Sequence, residues 1–203
     1  MIDTIKYPVL PRKFYIRPVL TVAKDLLGKV LIRQTGKNLF AGRIIEVEAY
    51  DGNIDEAAHT FKGKTKRNEV MFNEGGYLYV YFTYGAHYCC NVVTGKPNHG
   101  AAVLIRALEP LSGIDEMIKN RFDRKLKNDK EIFNLTSGPG KVCKAFGFNL
   151  EHSGLDLTKS PVLILDQPKL KKDRIGISKR IGITKSINLQ WRFFEIGNPY
   201  LSR

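Results

Sequence analysis

Glu48 and Tyr50 stand two residues apart in a stretch where Ile45, Val47 and Ala49 alternate with Ile44, Glu46, Glu48 and Tyr50. In a strand, residues two apart point to the same side. A carboxylate beside an aromatic ring, at a strand end that opens into a long loop, suits the activation of water against a stacked ligand. Glu46 shares that side if the strand is regular. The same pattern also describes the solvated side of an edge strand, because antiparallel sheets commonly keep one polar face. As a sugar-hydrolase pair, Glu46 and Glu48 are poorly placed. Such carboxyls flank the sugar roughly 5–9.5 Å apart, whereas these two face the same way.

Farther along, Tyr77, Tyr79, Tyr81, Tyr84 and Tyr88 are interleaved with Leu78, Val80 and Phe82. Aromatic strands usually build core. They also make platforms on which bases stack, at roughly 1–3 kcal/mol per base, and a side chain at a hairpin tip can wedge into a base step. His59 lies in the loop between these two regions. It has no metal-ligand spacing with His87, His99 or His152, so no metal site is expected. The chain also lacks a Gly-rich phosphate loop.

The elements that must hold these residues follow from periodicity. Arg17–Lys29 reads as a helix with Pro18 in its first turn and Gly28 at its end. Val30–Arg33 and Phe40–Tyr50 read as strands. Asp51–Gly76 is a long irregular segment, a length that in a compact domain is usually functional. Tyr77–Tyr84 and His87–Val93 form a predicted hairpin about Gly85-Ala86. Ala101–Ala107 is an apolar strand that carries Arg106. Ser112 and Asp115 have capping-box spacing ahead of a second helix, and the basic run Arg121–Lys130 reads as its solvated end or as a DNA-facing loop. Ser137-Gly138-Pro139-Gly140 turns into a helix over Lys141–Phe146, and Val162–Leu165 and Trp191–Ile196 are late strands. The tetrapeptide Arg-Ile-Gly-Ile occurs at both 174–177 and 180–183. Helices and strands mixed without regular alternation give an α+β class with one antiparallel-rich sheet.

Bulk properties narrow the partner. The 203 residues include 33 Lys and Arg against 20 Asp and Glu, a formal charge of +13. With a pI near 9.7, this balance favours a polyanion, most often nucleic acid. Three cysteines, two of them adjacent, do not make a disulfide framework. Without an apolar leader or a membrane-length apolar run, the expected setting is the cytoplasm, nucleoid-associated in a bacterium. A non-catalytic nucleic-acid-binding module accounts for the charge and the tyrosines but not for the co-occurrence of Glu48, Arg106 and the residues Tyr50, His59, Tyr81 and Asn91.

Several separated blocks, in order, resemble the alkyladenine (3-methyladenine) DNA glycosylase family. They are Gly42–Tyr50 with Asp55-Glu56-Ala57-Ala58-His59, then Thr65, Arg67, Met71 and Phe72, then Gly76–Tyr81 and Tyr84-Gly85. Asn91, Val103–Pro110, Ser137–Lys141, the second Arg180-Ile181-Gly182-Ile183, and Trp191-Arg192-Phe193 with Gly197-Asn198-Pro199 complete the series. The resemblance runs from about Pro11 to the C-terminus. It implies a single domain over residues 1–203 with a curved antiparallel sheet, flanking helices and a protruding hairpin that inserts into DNA. It also implies a monofunctional, monomeric enzyme without metal or organic cofactor. Such an enzyme flips alkylated or deaminated purines from duplex DNA, hydrolyses the N-glycosidic bond and so starts base excision repair. The implied roles are Glu48 as the base that activates water, with Arg106 and the Ile181 carbonyl holding that water. Tyr50, His59 and Tyr81 are implied as walls of the base pocket, Asn91 as the residue that discourages guanine, and Tyr84 as the side chain filling the gap in the duplex.

Overall fold

The computed structural model describes residues 7–83 and 85–202. Two short helices open the chain, each set off by a proline whose fixed φ suits a helix start. These are α1 (Arg12–Tyr15) and α2 (Val19–Leu26). The second is shorter than the periodicity suggests. Pro18 is its N-cap, and Leu27 is already extended, with ψ 131°. Its buried Val19, Val22, Ala23 and Leu26 are the residues that recur at helical spacing.

Among the described residues eight strands follow: β1 (Val30–Thr35), β2 (Asn38–Asp51), β3 (Leu78–Thr83), β4 (His87–Thr94), β5 (Ala101–Ser112), β6 (Val162–Leu165), β7 (Ile175–Ser178) and β8 (Arg192–Glu195). All pairings between them are antiparallel. The sheet curls, in the order β3-β4-β5-β2-β1-β6, with β8 joining β2 and β7 joining β8. The long strand β2 therefore has β5 along one side, and β1 and then β8 along the other. It is a central strand, and the reading of Glu46, Glu48 and Tyr50 as the wet side of an edge does not hold.

Helices α3 (Ile114–Phe122) and α4 (Pro139–Phe146), together with α2, cover one face of this sheet. The main core lies between, with Val47, Ala49, Leu78, Val80, Val92, Val103 and Ile105 facing Val22, Leu26, Val142 and Phe146. Helices segregated to one face of an antiparallel sheet define an α+β domain. No helix among the described residues is long and apolar enough to cross a membrane.

The start of α3 differs from its sequence reading. Glu109-Pro110-Leu111-Ser112 stays in β5 because the ladder with β2 continues to Ser112↔Ala41. Pro110 sits beside a register shift there, where a missing N–H is tolerated. The N-cap of α3 is Gly113, at φ 74°, and no side chain caps it, so Ser112 forms no capping box. The helix ends at Phe122, and most of the basic run beyond it is exposed, with Arg124 paired to Glu131. Strand β7 was not legible from the sequence.

Candidate active site

The ladder registers assemble the site. Tyr79 pairs with Asn91, Asn91 with Leu104, Leu104 with Glu48, and Glu48 with Arg192. One row across five strands thus carries a pocket tyrosine, Asn91 and the candidate base on the face away from the helices. Tyr50 and Tyr81, two residues from members of this row, share that face. Above it the segment 52–77 folds back, and Met71, Tyr79, Val93 and Ala102 make a second small core. Buried Asn68 staples that segment. It accepts from the N–H of Thr65 (2.6 Å) and donates to the carbonyls of His59 (2.8 Å) and Gly63 (3.0 Å).

A cavity of about 320 Å³ opens between sheet and loop, lined among others by Tyr50, His59, Tyr79, Tyr81, Asn91, Arg106 and Ile181. That volume lies within the usual range for a small-ligand site. The His59 ring meets Tyr81 edge-on at 4.4 Å, and Tyr79 stacks on Tyr81 at 5.5 Å. His59 Nδ1 lies 3.2 Å from the Tyr79 hydroxyl. Burial, helped by the Arg67 charge, lowers the His59 pKa, so the ring is neutral near pH 7. Burial also raises Tyr79 to about 12 and pushes Tyr81 and Tyr50 up, with the Glu48 charge adding to the effect at Tyr50. The walls are therefore neutral, electron-rich rings. Asn91 donates through Nδ2 to the Tyr79 carbonyl at 3.1 Å, which fixes its amide.

Glu48 is fully buried beside this cavity. The Tyr50 hydroxyl donates to its Oε2 (2.8 Å), the Ile181 backbone N–H donates to Oε1 (2.8 Å), and Arg106 Nη1 lies 3.2 Å from Oε1. All three partners line the cavity. Glu46 is held differently. Its Oε1 receives Arg106 Nε (2.9 Å), Arg192 Nε (2.7 Å) and the Ser202 hydroxyl (2.6 Å), and its Oε2 receives the Ser202 N–H (2.6 Å). Burial alone would raise its pKa, but the Ser202 bonds and the two arginines hold it below the usual carboxylate range. With four donors on two oxygens, Glu46 has little capacity left for a substrate.

The whole chain can now be set beside known proteins. A model of the methylpurine-DNA glycosylase family matches residues 13–199. The chain belongs to that family. It is 47% identical over 197 residues to a protein of Carboxydothermus hydrogenoformans named "Putative 3-methyladenine DNA glycosylase", covering 96% of this chain and 99% of that one. Proteins of the same name from Alkaliphilus oremlandii (44% over 200 residues; 96% and 98% covered) and Chlorobium phaeobacteroides (40% over 197 residues; 97% of each) align equally fully. As a methylpurine-DNA glycosylase the protein is a hydrolase of N-glycosyl bonds with DNA as its substrate.

Within this family member, the structure brings together every site residue read from the sequence except Tyr84, which lies outside the described residues. It also resolves which Arg-Ile-Gly-Ile copy reaches Glu48. The second copy does so, by its N–H, because Arg180 is clamped. Both Asp55 oxygens accept from its guanidinium, one at 2.7 Å, and Nη1 also reaches the Ala49 carbonyl at 2.9 Å. The guanidinium lies 4.5 Å from the Tyr50 ring centre. Asp55, Arg180, Asn68 and Ser202 are the functional neighbours that residue-by-residue reading missed as partners. Only the Asp55-Glu56-Ala57-Ala58-His59 block and the second Arg-Ile-Gly-Ile drew attention to two of them.

Proposed function

We propose that the cavity receives a purine rotated out of duplex DNA and that Glu48 activates the water that cuts its glycosidic bond. The observation that carries this reading is the placement of a fully buried carboxylate, fixed by three donors, against a cavity walled by neutral aromatic rings. A glycosidic carbon is out of reach inside the duplex, so the nucleotide must leave the stack. Methylation at N3 or N7 makes the purine cationic. Such a base leaves readily and is drawn to Tyr50, Tyr81 and His59 by cation–π attraction. Deaminated purines such as hypoxanthine lack that charge and need protonation to depart. As the bond breaks, the sugar becomes oxocarbenium-like. An anionic Glu48 then both takes the water's proton and offsets the developing charge. Arg106 and the Ile181 carbonyl hold the water, while the Ile181 N–H is spent on Glu48; Asn91 rejects guanine, and Tyr84 fills the gap left in the helix.

Electrostatics supports duplex DNA as the partner. Exposed Lys62, Lys64, Lys66 and Arg67 stand on the loop above the cavity. On the other side an adjoining groove is lined by Arg121, Lys130, Lys141 and Lys144 and shares Arg106 and Pro139 with the cavity. The test is release of free base from duplexes containing 3-methyladenine, 7-methylguanine or hypoxanthine. Glu48→Gln is expected to bind lesion DNA normally but to lose at least about 10²-fold in single-turnover excision. Excision by this variant within a few-fold of wild type would remove Glu48 from the chemistry. Absence of base release by wild type would leave a binding module.

A further inference from the structure

We propose that Ser202 is a positioning residue for the glycosidic hydrolysis, holding Arg106 and Glu46 in the one arrangement that lets Arg106 reach Glu48. This inference rests on the reading of Glu48 given above.

The need for such a residue comes from the sheet. Between β2 and β5 the register runs Glu46↔Ala107 and then Val47↔Ile105, so Arg106 has no partner on β2. Alternation along β5 still puts Arg106 on the cavity face with Leu104, but it does not fix where the far end of so long a side chain points. Its direction must then come from whatever its side chain touches. Arg106 is almost fully buried, and its three nitrogens are divided among Glu46, Glu48 and Ser202, with Nε also 3.3 Å from the Ser202 hydroxyl. Nε donates to Glu46 at 2.9 Å, Nη1 lies 3.2 Å from Glu48, and Nη2 donates to the Ser202 hydroxyl at 3.0 Å.

Ser202 closes the arrangement. A hydroxyl has one proton to give and lone pairs to receive. Here it gives its proton to Glu46 Oε1 at 2.6 Å and receives from Arg106, while its own N–H donates to Glu46 Oε2 at 2.6 Å. Carboxylate, guanidinium and hydroxyl form a closed ring of directed bonds. Without the hydroxyl, Arg106 Nη2 loses a buried acceptor, and the guanidinium is free to turn so that two nitrogens meet one carboxylate. Either turn moves Nη1 from its present place beside Glu48. Ser202 does not line the base cavity but does line the adjoining basic groove, so affinity measured beside the rate separates a lost DNA contact from an effect through Arg106 and Glu46.

The experiment compares wild type, Ser202→Ala, Ser202→Thr and Ser202→Cys, measuring single-turnover excision of a methylated purine, affinity for the same duplex, and thermal unfolding. Ser202→Ala is expected to slow excision about 10- to 100-fold, the scale of misplacing a reacting group, with affinity within about two-fold of wild type. Thr, which keeps the hydroxyl, should recover most of the rate. Cys, a poor donor of similar size, should behave like Ala and serves as the second variant if Ala fails to fold. The proposal is overturned if Ser202→Ala and Ser202→Cys excise within two-fold of wild type. It is also overturned if rate, affinity and unfolding temperature fall together and Thr restores none of them, since Ser202 would then only close the fold. Failure of wild type to release base would instead strike the glycosidic reading itself.

Discussion

Replacing Asp55 by Ala tests how the catalytic segment is held. Asp55 and Arg180 have fully buried side chains. Deleting the carboxylate leaves the guanidinium with the Ala49 carbonyl and the Tyr50 and Trp191 rings as its remaining neighbours. Breaking a buried pair from one side typically costs ~3–5 kcal/mol, because an uncompensated charge stays behind. For a chain of this size each kcal/mol lowers the unfolding midpoint by about 2–4 °C, so a drop of roughly 6–20 °C is expected. The variant should remain folded at 25 °C wherever the stability exceeds that cost, which holds over all but the low end of the ordinary ~5–15 kcal/mol range. Glu56→Ala is the internal contrast. Its partner Lys185 and Glu56 itself are 67% and 55% exposed, and surface pairs of this kind are worth ~1 kcal/mol or less. Excision should suffer as well, since the Ile181 N–H on Glu48 is carried by the residue next to Arg180. The assay is thermal and denaturant unfolding of Asp55→Ala, Arg180→Met and the double variant, alongside single-turnover excision. The double variant should be less destabilised than the sum of the two single ones, because it leaves no lone buried charge. Strict additivity, or an Asp55→Ala cost no larger than that of Glu56→Ala, would refute the argument.

Two further outcomes are expected. Asn91→Ala should admit guanine, seen as release of guanine from a mismatched duplex, with little loss on 3-methyladenine; an equal loss on all bases with no gain on guanine would make Asn91 a support for the Tyr79 strand. Affinity for undamaged duplex should fall steeply with salt, and changing Lys62, Lys64 and Lys66 together to Gln should flatten the log–log slope by up to about 2.7 units, at roughly 0.9 per lost phosphate contact. Asn91→Ala should leave that slope unchanged, and a slope indifferent to the three lysines would place the DNA elsewhere.

The sequence by itself determined the local parts. Period-two alternation put Glu46, Glu48 and Tyr50 on one side of a strand, and the tyrosines of β3 on another, because side-chain direction in a strand depends only on position. It did not reveal that this polar side is covered. That cover comes from Arg192, Ser202 and the segment at Ile181, more than 130 residues farther along the chain. Nor could the alternation separate the roles of Glu46 and Glu48, two carboxylates with like neighbours; only the family resemblance pointed to Glu48. Their difference lies in distant donors, four fixed on one and the cavity-lining trio on the other. The two Arg-Ile-Gly-Ile copies make the point most plainly. In the first, Gly176 lies in β7 against the Phe194 ring, and Arg174 is half exposed. In the second, Gly182 turns at φ 75°, and Arg180 is buried on Asp55. Four identical residues carry the same local propensities, so propensity could not choose between strand and turn. A buried ion pair to a loop 125 residues away made the choice.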